Sequence, residues 1–345
     1  MKKIIIFGGA FNPIHNMHIN VALKAIKKIK ADKVFFIPSG NPVQKDNLFF
    51  DSEHCLNMVE IAIREYDFFD VCDFEVKRES KSFTIDTINH FQNTFTDAEL
   101  FLLIGDDQLI NFHTWKDYEK ILTKVKIISY KRSLIRPNVS FDYIKLGFIK
   151  NDINSSTLRL KPNKKHLNPL VLDYINKKGV YAIERLHNNV SEYRFNHSLR
   201  VKDIALEICM SLKISELLDR CYVAAIYHDY CKEMNRESLE KIAKKINIRN
   251  YVSYKVLHAP VAAFVIKRDF FVNDKNILDA IANHVIPQDE STLTKIIYCA
   301  DKLDIRKDWT IPNRDNLLKL AKTNLHKAFI EIKTIVESIE SKKIC

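Results

Sequence analysis

Apolar residues in the first half of the chain gather in short runs of strand length: KIIIFG at 3–8, KVFFIPS at 33–39, FDVCDFEVK at 69–77, ELFLLIGDD at 99–107, KVKIISYKR at 124–132 and YIKLGFI at 143–149. Between them the apolar spacing becomes three and four, as over residues 18–30 and 52–66, which predicts amphipathic helices. Strands alternating with helices predict an α/β, Rossmann-like domain, a parallel sheet with helices on both faces. Ligands of such sheets sit at the carboxyl ends of the strands, where strand order reverses. Gly8-Gly9 and Gly105-Asp106 fall at two of those ends.

The pattern changes after KKGVYA at 177–182, and from Ser191 onward the spacing is helical. His197, Val201, Ile204, Ala205 and Ile208 share one helix face, and residues 222–227, 276–285 and 294–304 read as further helices. No internal repeat or low-complexity segment stands out. We therefore expect an α/β domain over residues 1–184 and an all-α domain over 185–345.

Two constellations carry chemistry. The first is GGAFNPIHNMH at 8–18. Glycines after a strand let the backbone approach a ligand, and a helix beginning beyond them turns N–H groups toward it, which suits phosphate. His15 and His18, three apart at the helix start, share a face and can donate to phosphate oxygens. The alternative is an ordinary turn before an ordinary helix. INSSTLRLK at 153–161 repeats the theme: Ser155 or Ser156 can cap a helix and Arg159 can bind phosphate as a fork, or the segment is a plain cap with a surface arginine.

The second constellation is His197, His228-Asp229, His258, His284 and Asp301, several of them at the ends of apolar stripes. Such groups are costly to bury unless satisfied, and metal coordination satisfies them as well as core hydrogen bonds do. A His/carboxylate set suits Fe, Mn or Zn.

Composition narrows the partners. The 345 residues suit about two domains. The net charge of +11 is spread over lysines of helix-like stretches such as KAIKKIK and KIAKKIN, so it reads as solvated faces. RNA binding would draw on that charge, but no RNP, KH or zinc-finger signature is present, and no nucleic-acid partner is expected. Seven cysteines, an odd number with no C-x-x-C pair, suggest a reduced, cytoplasmic protein. The apolar run in MKKIIIF ends at Gly8, too soon for a signal peptide. No stretch approaches the roughly 20 apolar residues of a membrane helix, so no membrane partner is expected. A homo-oligomer is compatible with the sequence.

Residues 1 to about 182 resemble the bacterial nicotinate-nucleotide adenylyltransferases of the nucleotidyltransferase superfamily. The resemblance lies in G-G-x-F-x-P-x-H-x-x-H, in NPVQK, SFTIDT, LLIGDDQLINFHTW and SYKR, and in the late serine motif. Asn154 stands where that motif has its first serine, Leu158 replaces Ile, and Cys55 stands where an arginine is usual. The resemblance implies adenylyl transfer from ATP to nicotinate mononucleotide with Mg²⁺. It implies that Gly8, Gly9, Phe11, Gly105, Asp106, Ser155 and Ser156 bind ATP, with His15, His18, Lys45 and Arg159 acting on its phosphates. Thr84, Asp107, Trp115 and Arg132 would take the nicotinate nucleotide. A different acceptor is the rival reading: phosphopantetheine, nicotinamide mononucleotide or a cytidylyl substrate.

Residues 191–312 resemble the HD-domain phosphohydrolases that cleave diadenosine tetraphosphate symmetrically, through HSLRV, IYHDYCK, LHAPVAA, AIANH and KIIYCADKLDIRK. That resemblance implies a di-iron centre, or Mn or Zn in its place. His197, His228, Asp229 and Asp301 would hold one ion, with Asp229 bridging to a second on His258 and His284. Lys232, Lys302 and Arg306 would neutralise the dinucleoside polyphosphate. Val285-Ile286-Pro287 follows His284 where the subgroup has Thr-x-Gly. A non-catalytic partner-binding module is the rival for this half.

Overall fold

The computed structural model describes residues 1–40, 51–78, 82–131, 137–148, 153–305 and 311–341. Lys45, Arg132 and Arg306 lie outside the described residues. The chain divides into two compact units, Met1–Leu172 and Asp173–Cys345.

In the first unit the elements follow as β1 (Lys2–Gly9), α1 (Asn16–Ile29), β2 (Lys33–Pro38), α2 (Ser52–Ile63), β3 (Phe69–Val71), α3 (Thr84–Thr94), β4 (Ala98–Gly105), α4 (Asp106–Ile110), α5 (Tyr118–Lys124), β5 (Lys126–Lys131), β6 (Tyr143–Phe148) and α6 (Ser155–Leu160). A 3-10 turn, Phe112–Thr114, separates α4 from α5. The strands form one sheet in the order β3-β2-β1-β4-β5-β6, and every pairing is parallel. This is the α/β fold that the alternation of runs predicts.

The central strand explains itself. Ile4, Ile5, Ile6 and Phe7 are all buried. Ile4 and Ile6 pack with Ile85, Ile88 and Phe91 of α3 and Ile121 of α5. Phe7 meets Phe11, His18 and Phe36 instead. Alternate side chains of a strand leave by opposite faces, so a strand covered on both reads as a continuous apolar run. α1 buries Met17, Ile19, Val21, Ala22 and Ala25, while Lys24, Lys27 and Lys28 stay exposed, two of them in its last turn where cations favour the helix dipole.

Two expected strands overrun. The run at 69–77 is a strand only to Val71, because residues 74–77 turn back, with Lys77 N–H bonded to Asp73 C=O at 3.0 Å. A Cβ on Gly40 would lie 1.9 Å from the Glu75 carbonyl oxygen, so that turn closes against a position only glycine can fill. Asp106 and Asp107, drawn into the run at 99–107, instead begin α4.

α7 (Pro169–Lys178) leads into a helical unit comprising α8 (Ala182–His187), α9 (Glu192–Ser211), α10 (Leu218–Tyr227), α11 (Arg236–Lys245), α12 (His258–Phe270), α13 (Lys275–Asn283), α14 (Thr292–Leu303), α15 (Arg314–Ala321) and α16 (Leu325–Ser341). Polar caps start several of these where the sequence provides them: Ser191 Oγ accepts from Arg194 N–H, Asn235 from Ser238, Asp274 from Asn276, and Ser291 from Thr294. The predicted face of α9 holds: His197, Val201, Ile204, Ala205 and Ile208 are all buried. The four apolar residues among them pack into one core with Val223 to Tyr227 of α10 and Ile296 to Ala300 of α14. No helix among the described residues is long and apolar enough to cross a membrane.

Candidate functional site

Strand order reverses between β1 and β4, so Gly9 and Gly105 flank the crevice where such sheets take ligands. A Cβ on Gly8 would meet nothing within 4 Å, which leaves that main chain open to close approach. Phe11 then turns the chain in the left-handed region, with φ of 44°. Its ring is buried edge-on to Phe7 at 5.5 Å and to His18 at 5.1 Å. Phe11 is therefore a packing residue that can serve a nucleotide only through its main chain.

His15 precedes α1 and His18 sits in its first turn. The His15 backbone N–H donates to His18 Nδ1 at 3.2 Å, and the two rings stack with centroids 3.8 Å apart. With Nδ1 accepting, a neutral His18 carries its proton on Nε2 and donates from there. The late motif comes to this place. Ser155 Oγ donates to the Pro13 carbonyl at 3.1 Å, and Arg159 Nη1 to the Asn12 carbonyl at 3.1 Å. The α6 cap is Asn154, whose side chain accepts from Thr157 N–H at 2.8 Å, and not either serine. Ser156 is exposed in the first turn of that helix.

Asp106 is buried at the start of α4, with Asp107 half-buried beside it. Thr84 opens α3, where Asp86 Oδ2 accepts from Phe83 N–H at 3.4 Å and lies 3.3 Å from Arg78 Nη1. Trp115 is half-buried, its ring 5.1 Å from Phe112. Cys55 is buried within α2 and is not a surface position; burial pushes its thiol up to about 12.

In the helical unit the second constellation converges. His197 lies within α9, His228-Asp229 just beyond the end of α10, His258 at the start of α12, His284 just past α13, and Asp301 in the last turn of α14. All six are buried, none more than 4% exposed. His228, His258 and His284 each place Nδ1 on a main-chain carbonyl three residues earlier, at 2.7, 2.5 and 2.7 Å. His197 places Nδ1 on Asp304 Oδ2 at 2.7 Å. In each ring Nδ1 is the donor, so Nε2 is left as the ligand atom.

Those Nε2 atoms meet in pairs, His197 with His228 at 3.2 Å and His258 with His284 at 3.3 Å. Asp229 faces both pairs. Its Oδ2 is 3.5 Å from His197 and 3.6 Å from His228; its Oδ1 is 2.9 Å from His258 and 3.3 Å from His284. Asp301 Oδ1 joins the first pair, 3.2 Å from His197 Nε2. Donors held at about 2.1 Å around one ion stand roughly 3 Å apart, so the spacing fits two divalent ions bridged by one carboxylate. The nitrogen and oxygen donor set suits a borderline metal such as Fe, Mn or Zn.

The charges are balanced closely. Arg194 Nη1 is 2.5 Å from Asp229 Oδ2, Lys302 Nζ 2.7 Å from Asp301 Oδ2, and Lys232 Nζ 3.1 Å from His258 Nε2. Burial would raise the Asp229 pKa, but His228, Lys232, His197 and His258 together hold it well below the usual carboxylate range. Burial drives His228 down to about 3 and also lowers His258 and Lys232. His197 resists burial: contacts with Asp229, Asp301 and Asp304 lift it to about 9. Sequence reasoning missed Asp304, Arg194 and Arg200. The signal was spacing, since Asp304 follows Asp301 by three and Arg194 precedes His197 by three.

The cytidylyltransferase-like family model matches residues 6–161, and the HD domain model matches residues 194–306. A Mycoplasma genitalium protein named probable nicotinate-nucleotide adenylyltransferase/Ap4A hydrolase is 37% identical over 346 residues, taking in 95% of this chain and 96% of that one. A Mycoplasma pneumoniae protein of the same name is 32% identical over 337 residues, 94% of this chain and 96% of its own length. A Clostridium tetani protein named probable nicotinate-nucleotide adenylyltransferase is 41% identical over 145 residues, 42% of this chain and 70% of that one.

Proposed function

The chain belongs to the two-domain family that joins a cytidylyltransferase-like domain to an HD domain, and we propose that each half is an enzyme acting on a nucleotide phosphoanhydride. Residues 1–184 make nicotinate adenine dinucleotide. A phosphate oxygen of nicotinate mononucleotide bonds to the α-phosphorus of ATP, the bond to the β-phosphate breaks, and pyrophosphate leaves. The observation that supports this is the contact of Ser155 and Arg159 with the Asn12 and Pro13 carbonyls, which gathers two sets of phosphate donors at the strand switch point. His18 Nε2–H and His15 stabilise charge on the α- and β-phosphates, Lys45 binds phosphate near the dinucleotide join, and Ser156 and Arg159, with Ser155 beside them, hold the leaving pyrophosphate. Gly8, Gly9, the main chain of Phe11, Gly105 and Asp106 frame ATP, and Thr84, Asp107, Trp115 and Arg132 take the acceptor. Bound Mg²⁺ supplies further neutralisation of phosphate charge.

Residues 185–345 cleave diadenosine tetraphosphate at its central anhydride. Water oxygen bonds to one inner phosphorus, the oxygen bridging the two inner phosphorus atoms leaves with the other half, the water's proton passes to solvent, and two ADP result. The observation that supports this is Asp229, whose two oxygens face two separate histidine pairs. His197, His228 and Asp301 would hold one ion, His258 and His284 the other, with Asp229 between. Two ions so held activate water and polarise the phosphoryl oxygens. Lys232, Lys302 and Arg306 neutralise the polyphosphate.

One observation favours a second reading of this half. Arg194, Lys302 and Lys232 already sit on the cluster's acceptors, so a non-catalytic module could hold the same residues without metal. One experiment separates the readings: metal analysis of the purified chain, then both reactions with products identified by mass spectrometry. ADP alone from diadenosine tetraphosphate supports symmetrical cleavage. ATP with AMP refutes it, and a purified chain that holds no metal and shows no hydrolysis when metal is supplied favours the structural module. Nicotinate adenine dinucleotide failing to form from ATP and the mononucleotide refutes the first half.

A further inference from the structure

Three of the four clustered histidines are held alike, and one is not. His228, His258 and His284 lean on the neutral carbonyls of Ala225, Lys255 and Ile281. His197 leans on a carboxylate, Asp304 Oδ2 at 2.7 Å. Asp304 is 1% exposed, and Arg200 fixes it from the far side, with Nε 2.7 Å from Oδ1 and Nη2 3.1 Å from Oδ2. A carboxylate behind an imidazole fixes the ring and raises the basicity of the opposite nitrogen, as a carbonyl does less. That opposite nitrogen, His197 Nε2, faces Asp301 and Asp229 Oδ2, and so belongs to one ligand group only. The flanking cations weigh the other way, with Arg194 and Lys302 on the first group and Lys232 on the second, so they do not account for tighter binding at His197.

We propose that Asp304 is a positioning residue that makes the two metal positions unequal, so that the position at His197 binds its ion more tightly and fills first. This rests on the reading that the cluster holds two ions. The test is titration of the metal-stripped full chain with Mn²⁺, followed by calorimetry, and with Co²⁺, followed by visible absorption. The wild type should bind in two steps at least about tenfold apart. Asp304→Asn should weaken the tighter step by roughly 10–100-fold and alter the spectrum of the first Co²⁺ equivalent, leaving the weaker step within about threefold. A helical circular dichroism signal and a cooperative melt matching those of the wild type show that the substituted half is folded, and unchanged adenylyl transfer shows that the other half is. If Asp304→Asn does not fold, Arg200→Gln, which removes the group that fixes this carboxylate from behind, takes its place, and a tighter step left unchanged overturns the proposal. Two ions of equal affinity overturn the proposal and spare the two-ion reading. A variant that shifts both steps or neither also overturns it. A chain that takes up no ion overturns both.

Discussion

The two sites differ in how far they bury their polar residues. Around the first, Gly8 and Ser156 are exposed, His18, Arg159 and Trp115 are half-buried, and His15 and Asp106 are buried. Around the second, six potential ligands are buried in a helical core and braced from behind. A site for nucleotides that come and go keeps most of its donors within reach of water. A site for a resident ion can bury its donors, because the ion and the flanking cations repay the cost of desolvating them. The difference predicts that damage to the buried site changes what the protein contains, and damage to the open site changes only what it turns over.

The strongest way to break that contrast is Asp229→Ala. It removes the carboxylate shared by both histidine pairs, so metal content should collapse and hydrolysis fall on the order of 10³-fold or more, since residues acting as one unit fail together. Dinucleotide synthesis should stay intact. Elemental analysis and both assays on one preparation check it; hydrolysis persisting without metal would refute the metal mechanism.

His18→Ala is the counterpart in the open site. Removing a donor to the phosphates should cost adenylyl transfer on the order of 10²-fold or more, with metal content and hydrolysis unchanged. Near-normal turnover by the folded variant would end the role given to Nε2.

A smaller effect follows from His197, lifted to about 9 in the metal-free chain by Asp229, Asp301 and Asp304 against the pull of burial. An ion must displace that proton, so affinity should rise with pH, up to about tenfold per unit, and flatten above about 9. His228, driven down to about 3 by burial, is already neutral and adds no such dependence. Chelator competition at pH 7, 8 and 9 reads the slope. A flat profile would mean that His197 carries no proton to lose.

Much of this was legible in the sequence because period and residue type act locally. The run Ile4 to Phe7 marks a strand buried on both faces, and the spacing of His197, Val201 and Ile208 marks a helix face, without knowledge of any partner. What was illegible depends on tertiary approach. Nothing local says that Gly40 closes against Glu75 and ends β3 at Val71. Spacing of three puts Arg194 on the helix face of His197 and Asp304 beside Asp301, but it does not name their partners Asp229 and His197, because those contacts join residues far apart in the chain. The cap of α6 was open to direct reading: Asn154 is as good a cap as serine and stands one position earlier.

The smallest expected effect concerns Trp115, and it tests whether the open site makes its contacts as loosely as its exposure implies. The ring leans on Phe112 at 5.1 Å and is half-buried, so one face packs while the rest reaches solvent. If that free surface stacks on the pyridinium ring of nicotinate mononucleotide, Trp115→Ala should forfeit roughly 0.5–1.5 kcal/mol beyond area burial. That is about two- to twelvefold in the Michaelis constant for the mononucleotide, with the constant for ATP nearly unchanged. Trp115→Phe should restore most of the loss, since it retains an aromatic face. Loss of packing against Phe112 would lower the melting temperature instead, and would weaken both substrates alike. A raised constant for ATP with an unchanged one for the mononucleotide would place the pyridinium elsewhere in the crevice.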